Sequence, residues 1–184
     1  MEPDRLPELN FSPDMPDANA TGTLGRNFLT WLWWYQEENN GELPKSQLGE
    51  FGLLLDGPLV FMSDGAGALE SSIRKGLPTR SAEAKAALTV GKKLKRATLQ
   101  FTRAKESWKC SVDADTFLFR GLSLPEGEAM EPHAVFEERM TCLHIFQQLF
   151  YALFQKFVND FKSGKGLDAF EKKAKAWVKN LEAK

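Results

Sequence analysis

At 184 residues, 42% of them hydrophobic and 27% charged, the chain has the make-up of one globular domain with at most a small appendage, and lies well outside a disordered composition. No charged start leads into an apolar run near Met1, which argues against a secretory leader, and the distant Cys110 and Cys142 read as reduced thiols of a cytoplasmic protein. The net charge of −1 conceals an asymmetry: residues 74–109 hold eleven Lys and Arg against Glu83 and Glu106, a balance of +9, and the remainder carries −10.

Residues 1–22 are rich in Pro, Asp, Glu and Asn, and Pro3, Pro7, Pro13 and Pro16 break any helix, so a flexible leader is expected there. Leu24, Phe28, Trp31, Leu32 and Tyr35 then recur at helical spacing, in a stretch holding three of the five tryptophans. Thr23 is the expected N-cap, and Asn39-Asn40-Gly41 the stop. Leu29, Trp33 and Trp34 lie off the main stripe, so the helix is apolar almost all round. Burial in the core is the first reading, Trp31 and Trp34 included; a partner-binding or base-stacking flank is the second. The stretch is too short to span a bilayer.

From Phe51 the period becomes strand-like. Phe51, Leu53 and Leu55 alternate up to Asp56-Gly57-Pro58, and Leu59 and Phe61 alternate away, which predicts a hairpin with a widened turn. Leu69, Ser71 and Ile73 predict a short third strand. Ser81 caps a helix through Leu88 that Gly91 ends, with Lys92 and Lys93 at the negative end of its dipole. Ala97, Leu99 and Phe101 share a face of one strand, Trp108, Cys110 and Val112 a face of the next, and a last strand runs from about Phe117 to Leu124. Five or six short strands in an antiparallel or mixed sheet, with helices on one face, make an α+β fold.

The C-terminal third is helical. Leu143, Phe146, Phe150, Leu153 and Phe157 follow the spacing of a helical seam, and Cys142, Leu149, Phe154 and Phe161 widen it enough to offer a second surface. After Ser163-Gly164-Lys165-Gly166, Leu167, Phe170, Ala174, Trp177 and Leu181 repeat the spacing opposite Lys172, Lys173, Lys175 and Lys179. The expected organisation is a leader at 1–22, an α+β domain at 23–162 and a basic amphipathic terminal helix at 163–184.

Patterns that carry catalysis are sparse. His133 and His144 form no zinc-ligand spacing with a cysteine, and Asp64-Gly65-Ala66-Gly67 lacks the Lys-Ser/Thr of a phosphate loop. Asp113 and Asp115, two apart on a strand, share a face and would suit a divalent ion if Glu106 or Asp64 joined them, although acids so spaced are common before turns. Cys110 falls on the core side. No enzyme, no metal, no cofactor and no small-molecule substrate are expected.

The basic segment has more content. Arg74, Lys75, Lys92, Lys93, Lys95, Arg96, Arg103 and Lys109 are the candidate contacts to the phosphates of double-stranded DNA, without a base-reading motif and so without sequence preference. A solvated face neutralised by the acidic ends of the same chain is the competing reading. A further alternative is an interaction module that docks a partner protein through the aromatic C-terminal helix and binds no nucleic acid.

The string Leu24-Gly25-Arg26-Asn27-Phe28-Leu29-Thr30-Trp31-Leu32-Trp33 resembles the Gly-Arg-Glu-Phe-Leu-Thr-Trp-Leu-Trp signature of divergent recombination-associated proteins of the RdgC type. Gly76, Ala86-Ala87-Leu88 leading to Gly91-Lys92-Lys93, and Leu122-Ser123-Leu124-Pro125 extend the similarity over residues 24–160. The resemblance implies a non-enzymatic, sequence-independent DNA-binding protein that forms ring-like dimers around duplex and limits recombinase loading. This sequence has Asn27 where the family has Glu, and a Pro-rich leader where the family has an N-terminal half. What carries over is the expectation of a cytoplasmic, homodimeric DNA-binding domain.

Overall fold

A computed structural model describes residues 18–45, 48–63, 70–73, 79 and 81–163, with the isolated positions 172, 176 and 179. The Trp-rich stretch is the later part of helix α1, Ala18–Glu38. The helix begins before Thr23, which is an interior residue and not its cap, so the expected boundary between leader and domain falls inside α1. Phe28, Leu29, Trp31, Leu32, Trp33 and Tyr35 are all buried, as an all-round apolar helix requires, but Trp34 is only half-buried and Trp33 takes the deeper place. Asn40 and Gly41 end the helix with positive φ of 51° and 79°, and Gly41 N–H closes onto Gln36 O at 2.8 Å.

Five strands follow: β1 (Gly52–Met62), β2 (Glu70–Ile73), β3 (Lys93–Arg103), β4 (Glu106–Asp113) and β5 (Leu118–Ser123). They form one antiparallel sheet in the order β2-β1-β3-β4-β5. The hairpin expected at Asp56-Gly57-Pro58 is absent, and that stretch is a wide irregularity inside a single strand. Register steps from Asp56↔Thr98 to Val60↔Arg96, so β1 absorbs extra residues while both its halves stay paired with β3. The Gly57 N–H donates to Asp56 Oδ1 at 2.7 Å, and the Gly57-Pro58 peptide is cis. The Asp-Gly signal was local; the long-range pairing with β3 overrides it.

Helix α2 (Ala82–Thr89) is capped as its sequence predicts, with Ser81 Oγ accepting the Ala84 N–H at 3.1 Å and Gly91 following at φ 82°. Helix α3 (Pro132–Ser163) lies with α1 against one face of the sheet, and the alternating Leu53, Leu55, Phe61, Leu99, Phe101, Trp108, Cys110 and Val112 supply the sheet's half of the core. Phe28 is a hub, its ring 5.2–5.4 Å from those of Phe150, Phe154 and Phe157 on α3. Such aromatic pairs add about 0.5–1.5 kcal/mol each beyond their buried area. Trp108 Nε1 donates to the Cys142 carbonyl at 3.0 Å and ties β4 to α3. The fold is α+β: helices on one face, the other face of the sheet left uncovered by any described helix. No described helix is long and apolar enough to cross a membrane. Most of the expected leader and of the terminal helix at 163–184 lies outside the described residues.

Candidate nucleic-acid interface

Antiparallel partners share a face, so the register assigns every strand residue to the core side or the open side. The open side reads Leu54, Asp56, Val60 and Met62 on β1, Glu70 and Ser72 on β2, Lys93, Arg96, Thr98, Gln100 and Thr102 on β3, Ser107, Lys109, Ser111 and Asp113 on β4, and Leu118, Arg120 and Ser123 on β5. Lys95 occupies the extra position of the β3 register shift, and its Nζ reaches Glu70 Oε2 at 3.1 Å on the same side. Across the strands this face therefore sets five cations against three carboxylates on a floor of hydroxyl and amide groups. None of these strand positions carries an aromatic ring.

The candidate residues separate into groups. Lys93, Lys95, Arg96 and Lys109 share the open face, the first three at the start of β3 and Lys109 opposite Gln100 farther along it. Lys109 Nζ lies 2.9 Å from Asp56 Oδ2, both groups well exposed, and Asp56 is held below the usual carboxylate range by that hydrogen bond, against a smaller upward push from burial. Arg96 pairs with Asp113 at 3.0 Å. Lys92 instead donates to Ser71 Oγ at 3.2 Å; Ser71 pairs with the core-side Phe61, so Lys92 sits apart from the open-face cluster. Arg103 falls on the core-side parity too. Its guanidinium lies over the Phe51 and Trp108 rings at 5.2 and 5.4 Å, donates to the Leu48 carbonyl, and pairs with Glu106 at 2.6 Å. It is a structural cation, with its pKa raised chiefly by the Glu106 hydrogen bond. Arg74 and Lys75 lie outside the described residues. Arg120 lies outside the basic segment of the sequence and was missed; its pairing with Ser111 brings it onto the open face, exposed.

Asp113 and Asp115 are engaged by separate arginines. Asp113 is a turn lock: its Oδ1 accepts the Asp115 N–H at 3.1 Å and the Thr116 hydroxyl at 3.3 Å, and its Oδ2 accepts Arg96. Burial pushes its pKa up, but these hydrogen bonds together outweigh burial and leave it below the usual range. Asp115 is taken by Arg26 in a bidentate contact at 2.6 and 2.9 Å. Gly25 makes that contact sterically feasible, because a Cβ there would stand 1.8 Å from the Ala114 carbonyl oxygen. The Gly25-Arg26 pair is thus a docking device between α1 and the β4–β5 turn. The adjoining Asn27 Oδ1 and, a helical turn beyond it, Trp31 Nε1 are buried and meet no hydrogen-bond partner among the described residues. Among those residues no three acids, histidines or cysteines gather as a metal site.

On the helix side, a groove of about 540 Å³ runs between β5 and α3, lined by Phe117, Phe119, Leu122, Phe146, Phe150 and Phe154 with Leu143 and Tyr151 at its rim. A second, mixed-charge cleft of about 980 Å³ lies between the β3–β4 turn and the start of α3 and includes Lys105, Lys109, Glu126 and Glu137. The half-buried Cys142 also lines this cleft; its thiol is pushed up by burial and the nearby Glu106, and that of Cys110 by burial to about 11, so neither is activated as a nucleophile. No family model matches the chain, and neither a curated protein nor a solved structure matches it.

Proposed function

We propose that the chain is a non-catalytic, cytoplasmic, RdgC-like protein that binds double-stranded DNA without sequence preference, in the service of recombination or replication. One observation carries the reading: Lys93, Lys95, Lys109 and Arg120 share the sheet face that no described helix covers, beside hydroxyl and amide groups that can add phosphate hydrogen bonds. The carboxylates already on that face do not oppose it. An exposed pair such as Lys109–Asp56 is worth about 0–1 kcal/mol, so its ammonium can exchange a carboxylate for a phosphate at small cost. Arg96, whose carboxylate partner is largely buried, keeps its structural bond instead. The described strand positions of this face carry no ring, which favours duplex backbone over stacked single strands.

The non-catalytic part of the reading is supported by the engagement of Asp113 and Asp115 with separate arginines. The alternative, docking of a protein through α3, has its own observation in the aromatic groove beside Phe150. Fluorescence polarisation with a short labelled duplex tests the DNA reading. Binding at low salt that weakens log-linearly with added salt, and is lost on charge reversal of Lys93, Lys109 and Arg120, is expected. Absence of binding at low salt overturns it.

A further inference from the structure

The outward face of α3 differs from an ordinary solvated helix face. Phe136, Met140, Leu143, Gln147 and Tyr151 form one stripe at spacings of four, three, four and four residues. Phe136 is 62% exposed, Met140 48% and Tyr151 61%. In a chain that is 27% charged, residues 140–155 contain no Asp, Glu, Lys or Arg, although nine of them, including His144, Gln147, Gln148 and Gln155, are exposed. Apolar and aromatic content combined with depleted charge is the composition of an interface core.

The stripe is also close to palindromic about Leu143–His144. In an antiparallel pairing centred there, position 136 meets 151 and position 140 meets 147, over a length of about 22 Å. Groups beside a two-fold axis meet their own copies, so any charge near it faces a like charge. A face intended for a different protein has no such reason to exclude charge from its centre.

We infer that α3 is a homodimer interface, in which a second copy of this chain packs antiparallel across Leu143 and seats its Phe136 in the groove formed by Phe117, Phe119, Phe150 and Phe154. His144 and the Gln147–Gln148 amides supply polar contacts around the axis. At home the Gln148 amide meets His144 Nε2 at 2.7 Å and the Gln155 amide meets the Tyr151 hydroxyl at 2.6 Å, which already holds these side chains in place. This surface is on the helix side of the sheet, so the inference goes beyond the DNA-contact reading and does not depend on it.

Light scattering on the full chain across a concentration series tests it, with Leu143→Glu and Tyr151→Glu as variants at exposed positions and circular dichroism as the check on folding. A mass of two chains for the native sequence and of one chain for each folded variant is expected. A second measurement places the axis: in a Cys142→Ser background, His144→Cys should form a disulfide-linked dimer under mild oxidation, and Gln155→Cys should not. A native chain that stays monomeric at about a hundred micromolar overturns the inference, and the groove then belongs to another segment or another protein. A dimer that survives Leu143→Glu, or that cross-links at position 155 and not at 144, overturns it as well.

Discussion

Replacing Gly25 by alanine sets two effects of opposite sign against each other. Inside a helix, glycine is about 1 kcal/mol worse than alanine, so propensity alone makes Gly25→Ala stabilising. The structure reverses the sign. The added Cβ would lie 1.8 Å from the Ala114 carbonyl oxygen and 2.8 Å from its carbon, and these are backbone atoms that no rotamer change moves. Restoring even 3.0 Å means drawing α1 away from the β4–β5 turn, which stretches the Arg26–Asp115 bonds of 2.6 and 2.9 Å. Overpacking of this kind costs about 1–3 kcal/mol. Loss of charge-assisted hydrogen bonds adds about 1.5–3 kcal/mol. The balance is a destabilisation of about 3 kcal/mol, which for a chain of this size lowers Tm by about 6–12 °C. Urea denaturation followed by tryptophan fluorescence, alongside a thermal melt, measures it. Gly121→Ala is the control, since its φ of 60° meets open space and only the left-handed strain of about 1–2 kcal/mol applies. A Gly25→Ala protein as stable as the parent, or more so, refutes the docking account of the Gly25-Arg26 pair.

Other expectations follow from the same contacts. A double-mutant cycle of Arg26→Met and Asp115→Asn should show a coupling of about 1–2 kcal/mol, because the contact is bidentate and partly buried; additive effects would mean that the two residues do not hold each other. If Lys93, Lys95, Lys109 and Arg120 each neutralise one phosphate, log K should fall with log salt at a slope of about −3.6, and Lys109→Gln should make it shallower by about 0.9. A slope left unchanged by that variant removes Lys109 from the interface. Asp113 is held below its ordinary value in the folded state, so the stability it contributes is present above the unfolded carboxylate value and is lost as pH falls through the folded one. Chemical denaturation between about pH 5 and pH 2 should therefore show a shallower acid limb in Asp113→Asn than in the parent, starting from a lower plateau. An acid limb of identical slope would assign the pH dependence to other carboxylates.

Local chemistry in the sequence was sufficient for some elements and insufficient for others. The Ser81 cap, the Gly91 stop and the alternation of Ala97-Leu99-Phe101 with Trp108-Cys110-Val112 all depend on neighbours within a few positions, and the structure has them as read. Asp56-Gly57-Pro58 depends on what lies across the sheet. Its turn chemistry is real, but pairing of both flanks with β3 turns it into an irregularity within one strand. Charge counting located a basic segment without resolving its faces. Strand parity already aligns Arg103 with Phe101 on the core side, and Lys109 with Gln100 on the other. Arg120 was out of reach, since its face is set by the β4–β5 register, which shifts between Lys109 and Ser111. The width of the α3 stripe was visible as excess apolar positions; which flank stays uncovered depends on where β5 ends the sheet.

Cys110 gives the molecule a built-in clock. Its thiol lies on β4 under the helical layer, 1% exposed, and is almost wholly protonated at neutral pH with its pKa near 11. Alkylation there has to wait for α1 and α3 to lift from the sheet, whereas the half-buried Cys142 belongs to the surface of α3. With Cys142 replaced by serine, the rate at which a small thiol reagent modifies the chain becomes a direct reading of how often the two layers part, taken under native conditions and without denaturant.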